Sequence, residues 1–249
     1  MTSNFAAERL ELARCCRLMA YRGLVDDILG HISLRVDDER MLLRCRGDEE
    51  VGLRFTRPND IRLVEIRSGQ ILEPKGGFKP PSEMPIHAQV LIARSDVDSV
   101  VHVHPPEVVV AALGDLPLQP FIGAFNIPAM RIADAGIPTY PRSVLIRSVQ
   151  LGQDMAKSLG AAQVLLLKGH GLVTTGRSPA EAMLNALHVD TLARLFLRAR
   201  NASITPEPIS EADKADLPDL GAGFNEQTLW RYHLASLAAD GWDIEKEMQ

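Results

Sequence analysis

The sequence predicts an α/β layered domain, because stretches with helical spacing alternate along the chain with short apolar or period-two stretches. Its 249 residues are 46% hydrophobic and 24% charged, enough apolar material for one substantial core without disulfide staples. A helix-start signature, Ser178-Pro179-Ala180-Glu181, follows an apolar strand-like run and opens the longest helical stretch.

In chain order, residues 5–22 read as a helix, with Leu12, Cys16 and Met19 on one face and Gly23 as a stop. Ile32, Leu34 and Val36 alternate with Ser33 and Arg35, the mark of a half-buried strand. Strands at 41–45 and 61–66 follow, with turns at 46–48, 58–60 and 68–69, and then a Gly/Pro/Lys loop at 74–81. Ser82 is the expected cap of a helix reaching Ala93, with Pro85 tolerated in its first turn. A strand at 99–103 and a helix at 106–113 come next, and 114–142 reads as a long folded excursion. A helix near 147–159, strands at 164–167 and 172–175 around the loop 168–171, and a helix from Ser178 to about Arg200 complete the main pattern. Residues 201–222 read as a polar linker or surface wrap, and 224–239 as a last amphipathic helix.

Net charge is −5 and the isoelectric point about 5.8, a balance with no electrostatic footprint for nucleic acid or an anionic membrane. Cys15, Cys16 and Cys45 form no C-x-x-C pair and read as reduced thiols. No apolar run approaches a membrane span, and residues 1–10 lack the apolar core of a signal peptide, so the expected location is cytoplasmic.

The strongest chemical signal is His102-Val103-His104. On a strand the two imidazoles point the same way and Val103 the other, making half of a site for Zn, Mn, Fe or Co. His170, flanked by Gly169 and Gly171 between two apolar strands, offers a third imidazole, and Glu83 a carboxylate from the start of a helix. The interval from Glu83 to His102, 102 − 83 = 19 residues, suffices for a helix and a return of the chain. His87 and His188 lie within expected helices and read as packed or solvated.

Pro81-Ser82-Glu83, His102-Val103-His104 and Gly169-His170-Gly171, together with Gly30-His31-Ile32-Ser33-Leu34-Arg35, resemble the class II aldolase/adducin family over residues 5–200. The resemblance implies a three-layer α/β/α domain with a largely antiparallel sheet at 1–200. A linker and C-terminal helix at 201–249 would pack on it or on a neighbouring subunit, commonly in a homotetramer. It implies one divalent transition metal per subunit on Glu83, His102, His104 and His170, and leaves open whether Glu83 is a permanent ligand or a base.

Family members cleave or epimerise sugar phosphates, decarboxylate hydroxylated acids, or, in the adducins, perform no catalysis. The sugar-phosphate branch carries an asparagine where this chain has His31 and a serine pair where it has Pro81-Ser82. Those changes, and the wider pattern, resemble the subgroup that decarboxylates hydroxylated aromatic dicarboxylates such as dihydroxyphthalate. A metal-dependent lyase acting on a small carboxylate is therefore expected, with retro-aldol cleavage or epimerisation as the alternative and a silent scaffold as the remote one. Gly30, Ser33 and Ser82 fall on implied substrate-binding positions. Arg54 comes from an arginine group, with Arg44, Arg46 and Arg57, that either grips carboxylates or forms a salt-bridged surface. His31 is the candidate proton donor or a substrate-positioning residue. Tyr232 is a candidate reaching a neighbouring subunit's site, or a packing residue.

Overall fold

A computed structural model describes residues 5–74, 76–114, 117–221 and 223–244. Seven strands form one sheet: β1 His31–Arg35, β2 Arg40–Arg44, β3 Ile61–Glu65, β4 Ser99–Val103, β5 Thr139–Tyr140, β6 Val164–Leu167 and β7 Gly171–Gly176. Their spatial order is β3-β2-β1-β4-β7-β6-β5, and every neighbouring pair is antiparallel except the β5–β6 edge. The α-helices are α1 Ala6–Tyr21, α2 Met84–Ala93, α3 Pro106–Leu113, α4 Ile127–Asp134, α5 Val149–Leu159, α6 Pro179–Asn201, α7 Glu211–Asp216 and α8 Leu229–Ala239, with short 3-10 turns at Leu53–Phe55 and Pro58–Asp60.

The sheet divides two apolar cores, which makes the arrangement three-layered α/β/α. On one face Ile32, Leu42, Val101, Val103 and Leu172 pack against α1, α3 and α6 residues such as Leu12, Val108 and Leu192. On the other, Leu43, Val64, Val100, Leu165 and Val173 pack against Ile86 and Val90 of α2 and Met155 of α5. Period-two alternation sends neighbours on each strand to opposite cores, so both faces are covered.

That double cover corrects the reading of β1 as half-buried. Ile32 lies in one core, but His31 and Ser33 on the opposite face are also buried, because α2 covers them. The expected cap Ser82 is exposed; Glu83 occupies the N-cap position of α2 without a side-chain capping bond, leaving its carboxylate free for other partners. Within 114–142 the structure holds α4, capped by Asn126 through Ala129 N, and the short strand β5. The polar stretch 201–222 contains α7, and the last helix is a π turn over Gly223–Thr228 followed by α8.

Two helix ends follow the chemistry of their sequence. Ser178 accepts from Glu181 N at 3.0 Å with Pro179 in the first turn of α6, and the Glu181 carboxylate reaches back to Arg177 N at 2.7 Å. At the other end of α2, Arg35 donates to the carbonyls of Leu91 and Arg94 at 2.7 and 2.9 Å, satisfying groups the helix leaves open. This ties α2 to β1 and fixes the end of the helix that presents Glu83.

Candidate metal centre

Three separate chain segments bring the sequence-predicted ligands together. β4 delivers His102 and, just beyond its end, His104; the turn between β6 and β7 delivers His170; the start of α2 delivers Glu83. One ligand atom from each of the four lies within 4.8 Å of the others. His102 donates from Nδ1 to Leu172 O at 3.0 Å, which leaves Nε2 as its free lone pair. His102 Nε2 lies 2.8 Å from His104 Nε2 and 3.5 Å from Glu83 Oε2, and His170 Nε2 lies 3.5 Å from Glu83 Oε1.

The donor set fits a divalent metal. Both ring nitrogens of His170 are buried and lack a hydrogen-bond partner, and a coordinate bond at Nε2 would satisfy one of the two. Two donors each about 2.1 Å from a tetrahedral ion stand roughly 3.4 Å apart, close to the two Glu83–histidine separations. Three neutral imidazoles and a carboxylate suit the first-row dications.

The electrostatics agree with that use. Burial works to raise the Glu83 carboxyl, but its contacts with His102 and His170 hold it well below the usual carboxylate range. Burial, with the neighbouring His102 and His170, pushes His104 down to about 3. Glu83 Oε1 also accepts from Ile146 N at 2.9 Å, which orients the carboxylate.

Gly171 is required by close approach: a Cβ there would lie 2.4 Å from Val103 O and 2.6 Å from His104 Cδ2. Gly30, at φ +88°, precedes His31, and a Cβ there would meet Val25 Cγ1 at 2.6 Å.

His31 is the register partner of His102 across the β1–β4 ladder, with ring centroids 5.0 Å apart. Its Nδ1 lies 2.6 Å from His87 Nε2, and His87 Nδ1 lies 2.7 Å from Ser33 Oγ. Burial and the neighbouring imidazoles hold His31 well below its ordinary value, and burial takes His87 to about 3.

Of the other residues singled out in the sequence, Ser33 belongs to these contacts, and Arg54, Ser82 and Tyr232 have none with the four ligands among the contacts described. Ser33 is fully buried and its hydroxyl is engaged with His87. Arg54 places its guanidinium 4.1 Å over the Trp242 ring, Arg44 pairs with Glu50 at 2.5 Å, and Arg46 donates to Ile28 O. Ser82 is exposed in a cleft of about 320 Å³ shared with Arg46 and Lys79. Tyr232 is 62% exposed on α8. Sequence reasoning missed His87, Ile146 and Ser143, whose hydroxyl braces the His170 turn at Gly169 O. A signal existed for His87: it follows Glu83 by four residues, one helical turn on the same face.

Residues 10–197 match the family described as Class II Aldolase and Adducin N-terminal domain. The chain is 46% identical over 236 residues to a 3,4-dihydroxyphthalate decarboxylase of Arthrobacter keyseri, covering 94% of this chain and 95% of that one. It is 46% identical over 239 residues to a 3,4-dihydroxyphthalate decarboxylase of a Terrabacter species, covering 95% and 100%. Among solved structures, an aldolase II superfamily protein from Pseudomonas syringae superposes with a TM-score of 0.81 at 22% identity, covering 97% of this chain and 96% of that one.

Proposed function

The chain belongs to the class II aldolase and adducin family, and on that ground we propose that it is a metal-dependent carboxy-lyase acting on a hydroxylated aromatic dicarboxylate, with 3,4-dihydroxyphthalate as its substrate. The observation that carries the proposal is the 46% identity to decarboxylases over nearly the whole chain, in a fold that brings Glu83, His102, His104 and His170 together.

These four residues would hold one divalent ion, Zn, Mn, Fe or Co. Such an ion supplies a Lewis acid that takes up negative charge on the substrate's oxygens. The protein's own contribution is to bind and orient. His31, beside His102, hydrogen-bonds the substrate's anionic oxygen and positions it, while a proton from solvent adds to the ring carbon that bears the departing carboxylate, giving a ketone-like ring. The C–C bond to that carboxylate then breaks, its electrons return to the ring and CO₂ leaves. Glu83 stays ionised throughout, held by His102, His170 and Ile146 N.

Gly30 allows the backbone approach that seats His31, and Ser82 and Arg54 are assigned to the substrate's carboxylates on their exposure and chemistry. Ser33, with no exposed surface, is assigned a role through His87 instead. Residues 1–200 are assigned as the catalytic domain. The described residues 223–244 of the 201–249 segment fold back onto it through contacts such as Arg14–Asp243 at 3.0 Å and Tyr21 to Asp240 at 2.6 Å. A homotetramer is proposed, with Tyr232 serving a neighbouring subunit. A cytoplasmic location accords with three buried free thiols, and no described helix is long and apolar enough to cross a membrane.

The test is incubation of the metal-loaded protein with 3,4-dihydroxyphthalate, following release of CO₂ and dihydroxybenzoate. Turnover confined to sugar phosphates would overturn the assignment.

A further inference from the structure

Four imidazoles crowd the centre, yet only three belong to the proposed donor set. What separates His31 from His102, His104 and His170 is the pair of groups behind it. His31 Nδ1 and His87 Nε2 are 2.6 Å apart, and His87 Nδ1 and Ser33 Oγ 2.7 Å apart. Ser33 and His87 are 0% exposed and His31 3%. The three residues are brought into line by strand alternation, which puts His31 and Ser33 on one face of β1, and by α2, which lays His87 across both.

Each contact needs one hydrogen, and only two arrangements supply both. In the first, His31 donates from Nδ1 to His87 Nε2, and His87 donates from Nδ1 to Ser33. The Ser33 hydroxyl hydrogen then has no acceptor among the described residues, because His87 is the partner of Oγ. In the second, Ser33 donates to His87 Nδ1 and His87 donates from Nε2 to His31 Nδ1. Every hydrogen is then satisfied, and His31 carries its own hydrogen on Nε2. A second proton on the imidazole pair would bury a cation beside a site built for a divalent one.

We infer that Ser33 and His87 are positioning residues that hold His31 as its Nε2–H tautomer, so that it meets the substrate as a neutral hydrogen-bond donor and is barred from joining the metal as a fourth imidazole. The inference rests on the metal-site reading above and deepens it. It names the ligand chemistry that His31 selects: an anionic oxygen, carboxylate or phenolate, that accepts a hydrogen bond while its neighbours reach the metal. A ligand that offers only a hydrogen-bond donor at that position is rejected, since two donors would face each other.

The direct test is long-range proton–nitrogen correlation NMR on ¹⁵N-histidine-labelled, zinc-loaded full-length protein, which reads the protonated nitrogen of each ring without any turnover. His31 and His87 are both expected as single Nε2–H tautomers. A hydrogen on Nδ1 of His31, or a zinc-bound His31, overturns the inference. Two variants test the positioning role. His87→Gln, whose amide can still donate to His31 Nδ1, is expected to keep kcat/KM within about threefold. His87→Leu should lower it at least tenfold, mostly in kcat, with zinc content unchanged. Equal activity of the two variants, both folded and zinc-loaded, removes the positioning role. Should His87→Leu not fold, the wild-type spectrum still decides. The expected spectra in a protein that does not decarboxylate dihydroxyphthalate would leave this inference standing while the substrate assignment fell.

Discussion

The Nε2 atoms of His102 and His104 lie 2.8 Å apart, both free of backbone partners, because alternate residues at the end of β4 present their side chains on one face. Since His102 carries its hydrogen on Nδ1, His104 donates from Nε2 to His102 Nε2 when no cation is present, and a cation that displaces this hydrogen can take both lone pairs. Adding Zn²⁺ or Mn²⁺ to chelator-treated protein is therefore expected to stabilise the fold. At a metal concentration 100 times the dissociation constant the gain is about 2.7 kcal/mol, a rise in melting temperature on the order of 5–10 °C. Differential scanning calorimetry checks it, and His102→Ala, His104→Ala and His170→Ala should each abolish the rise.

Glu83→Gln keeps an acceptor for Ile146 N but removes the charge facing His102 and His170. Metal affinity is expected to fall on the order of 10–100-fold, with the melting temperature of the metal-free protein nearly unchanged. Glu83→Ala also orphans the buried Ile146 amide and should cost about 1–3 kcal/mol of stability in the metal-free protein as well. Metal titration and chemical denaturation of both variants separate the two effects.

Gly171→Ala is expected to be more damaging to the centre than its size implies. The new methyl meets Val103 O and His104 Cδ2, so β4 and the imidazole must both shift. A loss of about 1–3 kcal/mol and a parallel loss of metal affinity are expected, readable by denaturation and metal titration. Gly30→Ala should cost a similar amount through its positive φ and its contact with Val25.

Away from the centre, His188 and His233 are expected to contribute to the loss of stability in acid. Burial, with His233 nearby, lowers His188 to about 4, and burial with Arg22 lowers His233 to about 4. The unfolded chain takes up protons at these residues below about pH 6.5, whereas the folded protein does so only near pH 4. Stability should therefore fall as pH drops from about 6.5 to about 4, by an amount on the order of 1–3 kcal/mol for each residue. His188→Gln, compared with the parent in denaturation curves across that range, should flatten the fall.

Much of this centre was legible in the sequence because its ligands obey local rules. Alternation paired His102 with His104, two glycines marked the turn that carries His170, and a strand-plus-helix interval brought back Glu83. The layered α/β class followed from periodicity, and the antiparallel sheet from family resemblance. The groups behind the ligands were not legible in the same way. His87 was read along its helix as a packed residue, and Ser33 along its strand as a substrate ligand; their partnership exists only where α2 crosses β1. The arginines at 44 and 46 offered a carboxylate grip or a salt-bridged surface, but their partners Glu50 and Ile28 O come from packing that one-dimensional spacing does not encode. α4 and β5 escaped notice because prolines and glycines surround them and a two-residue strand has no period to detect.

The pairing of His31 with His102 across β1 and β4 also makes strand alignment a chemical quantity. A slip of one residue would put Ile32 opposite His102 and turn His31 and Ser33 toward the α1 and α6 layer, leaving His87 without either partner. Such a chain would retain most of its backbone hydrogen bonds, yet would lack the His31–His87–Ser33 contacts. The four metal-ligand candidates, on β4, the β6–β7 turn and the start of α2, do not include β1, so they do not distinguish the two alignments; the Ser33–His87–His31 line does. Loss of that line in a chain whose sheet is otherwise paired would mark a misaligned β1.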